Sequence, residues 1–421
     1  MEAPGRVVLV DVYAPSRRLA PKFREQGYEC VRVQSTAQVP RVYRGGSWPA
    51  EDFVDNVVHG GDIEATADRL MRHRPVAVLA AGESGVELAD ALSERIGTPT
   101  NGTRMSAARR DKFLMIEALH QAGVPAARQM LVEDVDAVRA WHEKLGGTVV
   151  LKPTRSAASV GVTFCDTPEE SASAYLKLRD AESVFSEPNS GVVAQEALVG
   201  TEYMVDTVSR DGVHVVADIW RTTRINVNGA SDLVDGIYLM PSTGPVQETL
   251  VAYARRVLDA LDIRYGMAHL EIRLTPSGPR LVEVGARMAG ADLPHYASSA
   301  IGRSQLDWAV DAYLRPDEFR ALADQPYQLR RFFATVPMLS PVEGRLRRYR
   351  PESIAAIRSM ESFVQILEAV QPGGPLRRTV DDMTIPMAVN LQHEVEEVVL
   401  RDSRTLRYLD GAGFYECEPA A

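Results

Sequence analysis

One stretch constrains this 421-residue chain more than any other: "HLEIRLTPSGPRLVEVGAR", residues 269–287. Its first half sets His269, Glu271 and Arg273 on one side and Leu270, Ile272 and Leu274 on the other. Its second half alternates as Leu281, Glu283, Gly285 and Arg287 against Val282, Val284 and Ala286. A period of two is the mark of a strand. The intervening Thr275-Pro276-Ser277-Gly278-Pro279 has turn composition. The stretch therefore predicts a β-hairpin. A turn centred on Ser277 sets Glu271 opposite Glu283 on one face, where like charges roughly 5 Å apart repel. Two arrangements relieve that repulsion. One is a solvated polar sheet face. The other is a site for a hard cation such as Mg²⁺, which takes one or two protein carboxylates together with phosphate oxygens.

Residues 6 to about 104 alternate strand and helix signals: "RVVLVDVY", "APSRRLAPKFREQG", "YECVRVQ", "DIEATADRLMRHR", "PVAVLAAG" and "SGVELADALSERIG". That order predicts a small parallel sheet covered by helices. Glu83, in "AAGES", follows a strand's carboxyl end, where such sheets bind ligands. A plain helix-start acid has the same signature. No GxGxxG follows the first strand, so a dinucleotide site is not expected there. From 106 to 123, "SAARRDKFLMIEALHQAG" reads as one helix. Strands in series follow, with an Asp211-Gly212 hairpin turn, and an amphipathic helix leads into the opening hairpin. After about 305 come a helix, strands near "RRFFATVPML", "SFVQILEAV" and "IPMAVNLQ", and a closing helix. "LRPDEFRALADQP" is the candidate hinge to a C-terminal module.

A net charge of −10 argues against a nucleic-acid or anionic-membrane partner. No apolar run approaches a membrane span, and the opening run, broken by Asp11, reads as a strand rather than a signal peptide. The three cysteines, Cys30, Cys165 and Cys417, lie far apart without zinc spacing, which points to a reducing, cytoplasmic location.

Lys152 ends the apolar run "VVLK" and is followed by a loop of small and hydroxylated residues that includes Ser156, Ser159 and Gly161. Such a loop lets backbone N–H groups approach an anion, and the lysine adds a point charge. A polar hairpin turn with a snorkelling lysine has the same pattern. In "AQEALVGTEYMV", a strand end carrying Gln195, Glu196 and Leu198 precedes Glu202; an edge strand with two exposed acids also accounts for it.

In this order, Lys112, Lys152 with its loop, the acid-bearing linker and the two-glutamate hairpin resemble the ATP-grasp superfamily, over residues 1 to 420 and most strongly between 105 and 295. The resemblance implies an α/β and α+β chain with an ATP-grasp fold. An N-terminal Rossmann-like βαβ domain would span 1–104. An ATP-grasp domain of two lobes, divided near 192, would span 105–305, and a C-terminal α+β module at 306–421 would complete the second lobe. ATP is then the expected nucleotide and Mg²⁺ the expected ion, with Mn²⁺ as its substitute. Lys112 and Lys152 would meet the phosphates, and the loop carrying Ser156, Ser159 and Gly161 would close over them. Gln195, Glu196 and Leu198 would frame the adenine, Glu202 would bind ribose, and Glu271 and Glu283 would hold the metal. The form "EVGARMAG" looks like the carboxylate–amine ligases that include the L-amino-acid ligases. In that branch Arg287 would lie beside the reacting carboxyl. Arg287 and His269 are the catalytic candidates, with Glu83, His269, Arg287 and Gly290 as substrate-binding candidates; a hydrogen-bonded packing histidine is the other reading of His269. The sequence departs from most relatives at Gly285, where they carry asparagine.

The implied reaction joins a small-molecule carboxylate to an amine through an acyl phosphate, and a homodimer is the assembly many relatives adopt. A bicarbonate-activating carboxylase and a non-catalytic nucleotide-binding protein are the alternatives. His295, Arg221 and Arg224 are further candidates, each with a surface or packing role as its simpler reading.

Overall fold

The computed structural model describes residues 5–13, 16–44, 50–185 and 190–418. The N-terminal part carries strands β1 (Arg6–Val10), β2 (Cys30–Gln34), β3 (Phe53–Val58) and β4 (Pro75–Ala80), with helices α1 (Leu19–Arg24), α2 (Ile63–Met71) and α3 (Val86–Ile96). The strands form a parallel sheet in the order β3-β2-β1-β4. Val7 and Leu9 of β1 enter one core and Val8 and Val10 another. A strand buried on both faces reads as an unbroken apolar run, as "RVVLV" does. Strand β3 was not expected, because Asp55 and Asn56 interrupt its apolar pattern. The start expected for the first helix, at Ala14 and Pro15, lies outside the described residues.

The helix expected over 106–123 is split. A 3₁₀ turn at Ala107–Arg109 precedes α4 (Lys112–Gln121). Asp111 interrupts it, because its carboxylate accepts the Phe113 and Leu114 N–H groups and so acts as an N-cap. Lys112 therefore opens a helix rather than riding in the middle of one.

An antiparallel sheet follows, built from β5 (Gln129–Leu131), β6 (Val149–Pro153), β7 (Thr163–Cys165) and β8 (Val192–Glu196) in the order β5-β8-β6-β7. It is backed by α5 (Val135–Leu145) and α6 (Pro168–Arg179). The next elements are β9 (Thr201–Arg210), β10 (Val213–Val227), β11 (Ala230–Leu239), α7 (Pro245–Ala260), β12 (Gly266–Thr275) and β13 (Gly278–Gly285). Helices α8 (Leu293–Ile301), α9 (Gln305–Leu314) and α10 (Pro316–Leu322) lead to β14 (Phe332–Met338) and β15 (Gly344–Tyr349). The chain closes with α11 (Pro351–Arg358), β16 (Phe363–Glu368), β17 (Pro375–Leu376), β18 (Met387–His393), α12 (Glu396–Leu409) and β19 (Tyr415–Cys417). Strands β15, β17 and β19 form a small separate sheet. The others join one eight-stranded sheet, β13-β12-β9-β10-β11-β14-β18-β16. Asp211 and Gly212 turn β9 into β10 with φ of 52° and 79°, as a type I′ hairpin requires.

The candidate hinge "LRPDEFRALADQP" is instead mostly helix α10. Its Phe319 is fully buried, edge-on to Trp308 at 5.7 Å, in a core that also holds Leu9 and Phe23 of the N-terminal part and Val208 of β9. This one apolar core fastens the parallel sheet to the large sheet. No described helix is long and apolar enough to cross a membrane. Phe319→Ala is expected to cost about 3–5 kcal/mol of stability, measured by denaturant unfolding.

Candidate active site

The hairpin of β12 and β13 differs from expectation in an instructive way. Thr275 pairs with Gly278, so the turn is only two residues, Pro276-Ser277. Continued regularly, that register would place Glu271 opposite Val282 and turn Glu283 to the other face. A β-bulge between Ile272 and Glu271 supplies the missing residue, and Glu271 again faces Glu283. The bulge also turns Leu281, expected beside Glu283, into the core with Val284. Lys152, at the end of β6, points its Nζ at the Val282 carbonyl, 3.4 Å away.

Lys112 answers the carboxylate repulsion. Its Nζ lies 3.0 Å from Glu283 Oε1 and 3.0 Å from the Ser156 carbonyl, and its backbone N–H donates to Thr154 O. Lys152 is fully buried. Burial, and then the nearby Lys112 charge, bring its pKa down to about 8. Burial works against an ionised Glu271, but His269, Arg224 and Lys112 prevail and bring it down to about 2. The site thus holds two partly exposed carboxylates and two buried ammonium groups.

Arg287 lies beside them. Its Nε donates to Glu83 Oε2 at 3.0 Å and its Nη1 to the Met288 carbonyl at 2.7 Å. Glu83 is buried and bridges to Arg110 Nη1 at 2.9 Å. Burial alone would raise the Glu83 pKa, yet Arg110 and Arg287 hold it below the usual carboxylate range. Glu83 is therefore no ordinary helix-start acid. The Tyr43 hydroxyl accepts the Glu83 N–H, and the Tyr43 ring stacks on Tyr13 at 4.3 Å. The Arg287–Glu83 pair explains Gly285. A Cβ there would sit 3.0 Å from Arg287 Cζ and 3.1 Å from Glu83 Oε2. The space that an asparagine would use is filled by the Arg287–Glu83 ion pair.

These groups line one cavity of about 900 Å³, between the four-stranded and eight-stranded antiparallel sheets. Val150, Phe164, Val282 and Met204 form an apolar slot beside the linker carrying Gln195, Glu196 and Leu198. The Gln195 amide donates to Gln129, and the Glu196 carboxylate is bound by Arg128, which leaves backbone and apolar edges facing the slot. In the small-residue loop, Ser156 Oγ donates to Val160 O and Ser159 Oγ to Asp382 Oδ2 at 3.0 Å. Ala158, Ser159 and Gly161 are left-handed. Gly290 lines the cavity with open space at its Cα. Glu202 is buried, on a strand in mid-sheet rather than at an edge, and is gripped by Arg224 and Arg273.

His269 faces the cavity, its Nδ1 2.6 Å from Asp206 and its Nε2 3.6 Å from Glu271. Burial disfavours a charged ring, but Asp206 carries its pKa up to about 9. His295 is exposed and lies outside the cavity; Arg221 rests over the Tyr238 ring instead of facing the cleft. Tyr43, Arg110 and Asp206 were not expected at the site, and Arg273, expected only on the Glu271 face, grips Glu202. Asp206 left a trace, an acid inside the apolar run "YMVDTV"; Tyr43 ends a short 3₁₀ turn, Arg41–Tyr43, and left none.

Glu271 and Glu283 fit a magnesium ion. Among the described residues no cluster of three or more acidic, histidine or cysteine ligands exists, and Mg²⁺ with phosphate oxygens needs only one or two carboxylates.

Comparison with known proteins shows the family. Residues 145–295 match the ATP-grasp domain model. Dapdiamide A synthase of Enterobacter agglomerans is 31% identical over 388 residues, 90% of each chain. The chain belongs to the ATP-grasp superfamily. Within it, the chain falls in the carboxylate–amine ligase branch and is an ATP-dependent enzyme that forms C–N bonds. Alanine–anticapsin ligase of Bacillus subtilis (strain 168) is 26% identical over 212 residues, 47% of this chain and 45% of that protein. A crystal structure of an L-amino acid ligase from Bacillus licheniformis shares the fold, with a TM-score of 0.76 at 17% identity over 99% of this chain and all of the other. Placing asparagine in this ligase, Gly285→Asn, is expected to displace Arg287 and lower kcat on the order of 100-fold without unfolding the protein, as read by steady-state kinetics and circular dichroism.

Proposed function

We propose that this ligase condenses the carboxyl group of one amino-acid-like substrate with the amine of another and releases ADP and phosphate. The observation that carries the reading is the placement of Arg287 beside the Glu271–Glu283 pair, with Lys112 and Lys152 facing the same cleft. The names of the relatives, a dapdiamide synthase and amino-acid ligases, point the same way.

In the first step, a carboxylate oxygen forms a bond to the γ-phosphorus of ATP. The bond from that phosphorus to the β,γ-bridging oxygen breaks, and ADP leaves. In the second, the amine nitrogen bonds to the acyl carbon, the carbon–oxygen bond to phosphate breaks, and the nitrogen loses a proton. The chain needs no covalent nucleophile; phosphoryl transfer depends on positioning and charge neutralisation. Lys112 and Lys152 would neutralise phosphate charge. Glu271 and Glu283 would hold Mg²⁺, which adds positive charge at the phosphates when bound. Arg287, fixed by Glu83, would hold the reacting carboxylate and then the oxyanion of the second step, a role typically worth ~3 kcal/mol. The loop carrying Ser156, Ser159 and Gly161 would close the cleft and keep water from the acyl phosphate. Glu202, held by two arginines, would reach a ribose hydroxyl with the lone pairs they leave, and the linker at Gln195, Glu196 and Leu198 would read the adenine. Beyond Arg287 the cavity continues past Leu293, Ile237, Ile366 and Met387, where a second substrate has room.

The test is phosphate release from ATP over a matrix of amino-acid pairs, with mass spectrometry of the products. One pair should drive release and yield a condensed product, and Glu283→Ala should lower both by on the order of 100-fold or more. Release driven by bicarbonate, with no amino-acid pair active, would replace this reading with a carboxylase.

A further inference from the structure

The sheet holds a second pair of opposed acids, farther from the cleft. Asp206 on β9 faces Asp218 on β10, directly after a bulge that leaves Ala217 without a partner. Both side chains are completely buried. Two carboxylates sealed side by side cannot both stay ionised. Burial, with Asp206 beside it, pushes Asp218 well above the usual range.

The neighbours of the two acids assign the proton: Asp206 meets a basic ring, Asp218 only a neutral indole. Trp220 Nε1 donates to Asp218 Oδ1 at 2.5 Å. Asp206 Oδ1 lies 2.6 Å from His269 Nδ1. Among the described residues, the remaining oxygens, Asp206 Oδ2 and Asp218 Oδ2, have no other partner. One proton, carried by Asp218 and offered to Asp206, satisfies both. Asp206 then keeps its other oxygen as a pure acceptor, so His269 must present an Nδ1–H to it. The ring's second nitrogen is left facing Glu271 and the cleft, at 3.6 Å. Because β9 also pairs His269 with Asp206 across the ladder, all of these groups share one face of the sheet.

We propose that Asp206 is a positioning residue for this ligase, and that Asp218, as its hydrogen-bond donor, holds it in the acceptor state that fixes the orientation of His269. The acid pair costs stability at a place where an apolar pair would pack; what it provides is a histidine with only one available orientation at the reacting centre. Partners that orient histidines in metal sites typically change activity by about 10- to 100-fold when removed, and the same range is expected here.

The inference deepens the ligase reading, so its test has one arm that needs no turnover. Nitrogen-15 spectra of the histidine side chains should show His269 with a proton on Nδ1 and a strongly downfield Nδ1–H resonance. That resonance should vanish in Asp206→Ala and persist in Asp218→Asn, whose amide donates to Asp206 as a protonated acid does. If His269 carries no proton on Nδ1, the proposal is wrong whatever the enzyme's substrates prove to be. If the resonance behaves as stated but no amino-acid pair turns over, the proposal stands and the substrate reading falls. With active substrates, Asp206→Ala should lower kcat about 10- to 100-fold with little change in the KM for ATP, and should add nothing further in a His269→Ala background. Asp218→Ala should lose activity and Asp218→Asn should restore it. Independent, multiplying losses in the Asp206/His269 double variant, or a failed Asp218→Asn rescue, would overturn the proposal.

Discussion

Two carboxylates held face to face in a half-closed cleft govern the arrangement of everything around them. Glu271 and Glu283 are opposed across the ladder, where their mutual repulsion would ordinarily open the hairpin. The chain surrounds them with cations drawn from distant positions: Lys112 from the first turn of a helix, Lys152 from the end of a strand in the other sheet, and Arg287 just past the hairpin. Each cation is itself fastened, Lys112 by the Ser156 carbonyl, Lys152 by the bulged Val282 carbonyl and Arg287 by Glu83. Fixed charges of this kind do not have to reorganise when a phosphate arrives, and that is the physical basis of electrostatic catalysis.

The eight-stranded sheet gives this centre its breadth. Its face carries charge at β13, β12, β9 and β10 and becomes apolar toward β14, β18 and β16, where Pro337, Met387 and Ile366 line the cavity. A single floor therefore passes under the charged groups and then under open apolar space. The four-stranded antiparallel sheet closes over one end through Lys152 and the loop after it, which touches Asp382 across the cleft. The N-terminal part adds Glu83 and Tyr43 from beside its parallel sheet, and the shared core around Phe319 holds that part in place.

Much of this was legible in the sequence where periodicity carried it. The alternation around 269–287 predicted the glutamate pair, and the small-residue loop after Lys152 lay where expected. The reason the glutamates meet was not legible. The turn is shorter than its composition suggested, and the bulge that restores the register depends on tertiary packing of Leu281 and Val284 against α4 and α7. Asp206 and Asp218 were visible as acids inside apolar runs, but pairing them requires a strand register that a single sequence does not specify. The role of Glu83 was hidden because its partners, Arg110 and Arg287, lie 27 and 204 residues away. The break before Lys112 was missed because an N-cap aspartate and a helix-interior aspartate look alike until the backbone turns.

The central claim is that this charged cleft activates a carboxylate by phosphorylation. It is tested most directly by following oxygen. With the active acid substrate labelled at its carboxylate with oxygen-18, the account predicts that one labelled oxygen per turnover appears in the released phosphate, because the carboxylate oxygen that bonds to phosphorus leaves with it. Phosphate without label, alongside a condensed product, would show that the carboxyl group is never phosphorylated and would contradict the account.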